Sequence, residues 1–245
     1  MVNTNKDVFF IPHTHWDREW YMTFQQFRYR LTKLIDKLIE GQVNDPAFRH
    51  FMLDGQVVVI EDYLEVNQGK KSVLESLIQE GKLQIGPWYT LPDTFLVNGE
   101  SLIRNLLIGH REAQELGGVM KQGWVPDPFG LTAQLPQILQ GFGIDNAFMM
   151  RGVGKKAKST DFEWESPDGS KVTAHYLRAG YGSINRLAST TDETEVAEWA
   201  SSYLQTSSGV NVTNLLTLLE FLDGRTLSSA IMIPVGGDHL EIQKD

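Results

Sequence analysis

An α/β fold built on a mostly parallel sheet is what this sequence predicts, and three observations carry the prediction. Seven short apolar runs recur along the 245 residues, most of them separated by stretches with helical periodicity. Polar, charged and aromatic residues gather just past the ends of those runs, at His13, His15, Asp17, Asp54, Trp88, Asp93, Asp127, Arg151, Tyr181 and Asp238. That is the carboxyl edge on which parallel α/β folds build their sites. A hydrophobic content of 41% over this length suffices for one large core, and no repeat or linker asks for a second domain. The alternation fits either a closed barrel or an open wound sheet.

Val8 to Ile11 is the first run, closed by Pro12, and the loop His13 to Tyr21 follows it. Leu31, Leu34, Ile35 and Leu38 recur at helical spacing and predict an amphipathic helix ending at Gly41. The second run, Phe51 to Leu53, ends in Asp54-Gly55, with helical material through Tyr63 and from Val73 to Ile78. Leu83 to Ile85 meets Gly86-Pro87-Trp88, and a helix starts near Ser101 in which Leu102, Leu106 and His110 share a face. His110 is therefore read as structural. Gly123 to Pro126 leads into Asp127-Pro128-Phe129-Gly130 and a helix carrying Leu131, Leu135, Ile138 and Leu139. Ala147 to Met150 ends at Arg151. Phe162 to Lys171 predicts a hairpin around Asp168-Gly169 that feeds the strand Val172 to Tyr176. A polar helix and a long segment from Thr191 to Leu227 precede the last run, Ala230 to Val235, which ends in Gly236-Gly237-Asp238-His239.

Composition narrows the chemistry. There are no cysteines, so a disulfide or thiolate metal site is excluded and any metal must sit on His, Asp or Glu. Met1 to Asp7 lacks the basic start and apolar centre of a signal peptide, and no apolar run reaches membrane-spanning length. The expectation is a soluble, cytoplasmic protein without a membrane partner. A net charge of −9 with no basic block argues against nucleic acid, whose phosphates require clustered Lys and Arg.

His15 and Asp17 stand at i and i+2, so in an extended loop both side chains project the same way, and both residue types ligate zinc. With Asp127 they offer one nitrogen and two carboxylate oxygens, leaving positions open for substrate. Asp238, from a distant run, supplies a carboxylate of a second kind. Two carboxylates in unlike surroundings are what glycosidic cleavage needs. Trp20, Trp88 and Tyr181 offer aromatic faces for the apolar side of a sugar ring. Each residue also has a plainer reading: His15 as a satisfied loop histidine, Asp17 as a helix cap, and Asp127 and Asp238 as turn residues.

Three motifs discriminate between these readings. His13-Thr14-His15-Trp16-Asp17-Arg18-Glu19-Trp20, Gly123-Trp124-Val125-Pro126-Asp127-Pro128-Phe129-Gly130 and Ile233-Pro234-Val235-Gly236-Gly237-Asp238 together resemble the catalytic domain of the glycoside hydrolase family 38 α-mannosidases. The first motif is similar to its bacterial branch, which includes mannosylglycerate hydrolases. The resemblance implies a seven-stranded α/β barrel and a zinc-dependent retaining hydrolysis of α-mannosides. It assigns His15, Asp17 and Asp127 to zinc, Asp127 also to the nucleophile, and Asp238 to the general acid/base. Trp20 matches a sugar-stacking tryptophan, Arg151 falls near an arginine beside the nucleophile, and Tyr181 near a tyrosine that contacts substrate. His239 departs from the aromatic residue that animal members carry.

Members of that family continue into a helical bundle and β-rich domains, from which a histidine supplies the fourth zinc ligand. Residues 1–245 are therefore expected to be an N-terminal catalytic domain with a partly built zinc site, weak metal affinity and surfaces that favour a homo-oligomer. The alternative is a non-catalytic sugar-binding or structural module. A zinc-dependent carbohydrate deacetylase is less well matched, because its expected His-x-x-x-His pair is absent.

Overall fold

The computed structural model describes residues 5–154, 157–182 and 212–240. Its strands form two four-stranded sheets. In the first, β2 (Phe51–Leu53) and β3 (Leu83–Gln84) lie on one side of β1 (Asp7–Thr14), and β8 (Ala230–Val235) lies on the other. In the second, β4 (Gly123–Val125), β5 (Asn146–Met149), β7 (Lys171–Tyr176) and β6 (Asp161–Glu165) follow in that spatial order. Every pair is parallel except the hairpin of β6 with β7.

Seven parallel strands are thus present, but among the described residues the sheets are not closed into the barrel that the resemblance implies. The seam between the short strands β3 and β4 is crossed by single bonds instead of a ladder. Met120 N–H reaches Ile85 O at 2.9 Å, and the Trp88 indole N–H reaches Trp124 O at 3.1 Å. Side chains join the halves as well: Met52 from β2, Trp124 from β4, and Leu177 and Tyr181 from the loop after β7 make one buried cluster.

Helices α1 (Phe24–Asn44), α2 (Val58–Leu64) and α3 (Lys71–Gln79) cover the first sheet. The buried face of α1 is the predicted stripe, Leu31, Leu34, Ile35 and Leu38, extended by Phe27 and Ile39. Gln26 accepts the Thr23 N–H at 2.9 Å and fixes its start. The helix does not stop at Gly41 but runs on to Asn44. That glycine is needed for space, since a Cβ there would lie 2.9 Å from the Phe48 ring.

Helices α4 (Gly99–Glu115) and α5 (Leu135–Gly141) cover the second sheet through Leu102, Leu106, Leu135 and Leu139. Asn98 caps α4 by accepting the Ser101 N–H at 2.8 Å. His110 has the structural role expected, with its Nδ1 2.8 Å from Leu106 O.

Two further expectations change. β1 does not close at Pro12 but continues to Thr14. β2 pairs only with His13 and Thr14, so at Pro12 one flank of β1 is unengaged and a missing N–H breaks no bond on that side. Of the long segment from Thr191 to Leu227, residues 191–211 lie outside the described residues, and the rest contains α6 (Val212–Asp223). The Asp168-Gly169 turn is formed as predicted, with Gly169 N–H on Ser166 O at 2.9 Å. No helix among the described residues is long and apolar enough to cross a membrane.

Candidate active site

The site is built where β1 and β8 run out together. Past the last ladder pair, His15 and Asp238 form one more parallel bridge. His15 N–H donates to Gly237 O at 2.9 Å, and His239 N–H donates to His15 O at 2.8 Å. This contact requires glycine at 236, where a Cβ would lie 1.8 Å from the His13 carbonyl oxygen. Pairing of the two chain ends therefore sets an imidazole beside a carboxylate from a residue more than 200 positions away.

His15 is 4% exposed and held from behind. Its Nδ1 lies 3.0 Å from Oδ1 of Asp54, a fully buried carboxylate. Asp54 also accepts the Trp16 N–H at 2.8 Å, the Gln56 amide at 3.0 Å and the Trp124 indole N–H at 3.3 Å. Every neighbour of Asp54 is a donor, so His15 carries its proton on Nδ1 and turns Nε2 forward. Nε2 is buried and has no hydrogen-bond partner among the described residues. Facing it are Asp17 Oδ1 at 3.6 Å and Asp127 Oδ2 at 3.8 Å.

Burial opposes a charge on His15, yet Asp54 and Asp17 outweigh it and raise its pKa well above the ordinary value. The field at Nε2 thus favours a cation. A proton there meets oxygens only at 3.6 and 3.8 Å, whereas a metal reaching about 2.0–2.2 Å to nitrogen and oxygen would engage all three groups. Held by His15, Asp17 and Asp127 alone, a metal would sit in an open site rather than a closed one. Among the described residues no three ligating side chains are drawn into a metal shell, and the 3.6 and 3.8 Å separations must shorten by a few tenths of an ångström for roughly tetrahedral binding.

The two catalytic candidates have unlike surroundings. Asp127 stands just past β4, and Arg151, just past β5, binds its Oδ1 through Nε at 2.7 Å and Nη2 at 2.6 Å. The guanidinium lies 4.4 Å above the Phe129 ring, which fixes its plane. Among the described residues no Arg or Lys pairs with Asp238 in this way. Burial, helped by Asp17 and Asp127, raises its pKa against the opposing pull of His15 and Tyr181. Tyr181 donates its hydroxyl to Asp238 Oδ1 at 2.7 Å. Burial, Asp238 and Asp127 push the phenol pKa upward, so it stays a donor.

The structure therefore brings His15, Asp17, Asp127, Arg151, Tyr181 and Asp238 together. Two aromatic expectations change. Trp88 is fully buried, with its N–H committed to Trp124 O, and offers no face to a sugar. Tyr181 is 7% exposed, its ring 5.0 Å from His15, and acts through its hydroxyl instead of a stacking face. Trp20, 63% exposed on the loop after β1, keeps its face open.

Asp54 had no role assigned from the sequence; the available signal was its position after an apolar strand. The His239 ring engages Asp17 and Phe27 and is turned away from the His15 ring. Its Nε2 accepts the Asp17 N–H at 3.1 Å and its ring stacks on Phe27 at 4.2 Å, while burial lowers its pKa to about 4.

Comparison with known proteins identifies the family. A candidate mannosylglycerate hydrolase of Halalkalibacterium halodurans is 36% identical over 98% of this chain and 26% of its own length. Alpha-mannosidase G of Dictyostelium discoideum is 30% identical over 69% of this chain and 16% of its own. The crystal structure of an alpha-mannosidase from Enterococcus faecalis V583 superposes with a TM-score of 0.85 at 32% identity, covering 98% of this chain and 26% of that one. The chain thus spans about a quarter of the length of the first of these relatives. Residues 5–244 match the N-terminal domain model of the family 38 glycosyl hydrolases, and the chain belongs to that family.

Proposed function

We propose that this chain carries the nucleophile and the acid of a zinc-dependent retaining α-mannosidase. The observation that supports it most is the pair of unlike carboxylates beside His15, Asp127 clamped by Arg151 and Asp238 half-buried with a raised pKa. His15, Asp17 and Asp127 would hold zinc, which supplies positive charge and open positions for sugar hydroxyls.

The protein's own groups perform the steps. Arg151 holds Asp127 through Oδ1, leaving the other oxygen on the His15 side. Asp127 attacks the anomeric carbon as Asp238 passes its proton to the leaving oxygen, so the glycosidic bond breaks while an ester forms on Asp127. Asp238 then takes a proton from the water that hydrolyses the ester, and returns to its starting state. Tyr181 holds Asp238 in place by donating to Oδ1. Trp20 offers its open face to the apolar side of the sugar. The relative named for mannosylglycerate makes a small acidic aglycone one substrate to include.

The test is trapping. A fluorinated mannosyl donor that slows the second step should leave a mannosyl adduct on the peptide containing Asp127, seen by mass spectrometry. An adduct on another residue, or turnover that proceeds with inversion, refutes the assignment. The open ligand set favours one second reading, a module that binds sugar without cleaving it. Sugar binding with neither adduct nor turnover would select that reading.

A further inference from the structure

His13 precedes His15 by two residues, so both rings project from the same face of β1, yet neither the ligand set nor the carboxylate pair uses it. The ring is buried, and its Nε2 lies 2.8 Å from the backbone oxygen of Tyr181. A carbonyl only accepts, so Nε2 carries the proton and donates. Nδ1 is buried without a hydrogen-bond partner among the described residues, a cost that an apolar side chain of similar size would avoid. What the imidazole adds is the Nε2 donor.

That donor is itself anchored. His13 pairs with Met52 of β2, its ring meets the Trp124 ring edge-on at 5.7 Å, and Gly236 packs so closely that a Cβ there would lie 3.0 Å from His13 Cδ2. Tyr181 lies on the loop after β7, where Gly180 N–H reaches Leu177 O at 2.8 Å. Beyond that turn no backbone-to-backbone bond fixes Tyr181 among the described residues. At its other end the Tyr181 hydroxyl donates to Asp238 Oδ1 at 2.7 Å. One side-chain bond thus sets the backbone of Tyr181, and Tyr181 sets the carboxyl group of the proposed acid.

We propose that His13 is a positioning residue for acid catalysis: by holding the Tyr181 carbonyl it places the Tyr181 hydroxyl on Asp238 and aims that carboxyl group at the leaving oxygen. This rests on the α-mannosidase reading and extends it from the reacting groups to a residue that aligns one of them. Misplacing a proton donor slows the step that needs its proton. A leaving group that departs without protonation is little affected, whereas a lost ligand or a loosened fold slows every substrate alike.

The experiment uses the protein in its natural full-length form, with zinc content and thermal melting checked for each variant. His13→Gln keeps an N–H at the reach of Nε2, His13→Leu removes it, and Tyr181→Phe removes the hydroxyl at the far end. kcat/KM is measured on methyl α-mannoside, whose leaving oxygen needs the proton, and on 2,4-dinitrophenyl α-mannoside, whose leaving group does not. The expected result for His13→Leu is a loss of roughly ten- to hundredfold on the methyl glycoside and within about threefold on the dinitrophenyl one. His13→Gln should recover most of the loss. Combining His13→Leu with Tyr181→Phe should be no slower than Tyr181→Phe alone, since both act through one contact. No loss, equal losses on the two substrates, a Gln variant no better than the Leu variant, or losses that multiply on combination overturn the proposal. His13→Met, unbranched like Gln but without the donor, stands in if the Leu variant does not fold. Failure of both to fold marks a structural residue and also overturns it. Wild-type protein that cleaves neither mannoside fails the parent reading, and this proposal with it.

Discussion

Replacing Asp54 with Asn tests how the site is assembled. The two Asp54 oxygens serve four donors: Oδ1 takes the His15 and Trp124 ring N–H groups, while Oδ2 takes the Trp16 backbone and the Gln56 amide. Asn has one oxygen and one NH2, and His15 Nδ1 lies 3.0 Å from either Asp54 oxygen, so the NH2 faces either the Trp124 N–H or both the Trp16 and Gln56 N–H groups. Each loss costs about 1–3 kcal/mol, giving roughly 1–6 kcal/mol in all. If the NH2 faces His15, the imidazole must move its proton to Nε2, and the lone pair aimed at Asp17 and Asp127 disappears. Loss of such a supporting carboxylate lowers metal affinity by about 10- to 100-fold. Urea unfolding and zinc competition against a chromogenic chelator measure the two effects separately. A variant within about 0.5 kcal/mol of wild type and with unchanged zinc affinity would refute the account of Asp54.

Gly236→Ala should separate β1 from β8, because its Cβ would fall 1.8 Å from His13 O. A drop in melting temperature together with lost mannoside hydrolysis is expected, and a fully active, equally stable variant contradicts the close approach. His110 predicts a pH dependence of stability. Burial, helped by Lys121, holds its pKa below the ordinary value against the opposing pull of the Leu106 and Pro87 carbonyls. The unfolded chain binds a proton more readily, so the contribution is present above about pH 6.5 and is lost as pH falls below it. His110→Gln should flatten the stability curve between pH 7.5 and 5, as read by urea midpoints at each pH; an unchanged slope refutes the assignment.

Much of this was legible from the sequence because local pattern and tertiary demand agreed. The run Ala230 to Val235 is β8 residue for residue, and the α1 stripe is buried as its spacing predicts. Residues at strand ends converge because parallel strands present their carboxyl edges together. Legibility failed where a distant contact decided. Gly41 looks like a helix stop until Phe48 is seen against it, and Pro12 looks like a strand stop until β2 is seen to begin later. Trp88 looks like a sugar platform because exposure is invisible in one dimension. Asp54 drew no role because its importance lies in four donors from scattered positions. Neither sheet closure nor the seam between β3 and β4 has a local signal at all.

The central claim is that Asp127, beside a zinc held with His15 and Asp17, performs hydrolysis of an α-mannoside. The most direct measurement is zinc content together with cleavage of 4-nitrophenyl α-mannoside, for this chain, its Asp127→Ala variant and the chain extended to the length of its relatives. The account predicts that the extended protein binds zinc and cleaves the mannoside, and that Asp127→Ala in that context loses cleavage by at least about 1,000-fold while remaining folded. An extended, folded and zinc-loaded protein that cleaves no α-mannoside, or one that still cleaves it with Ala at position 127, would contradict the claim.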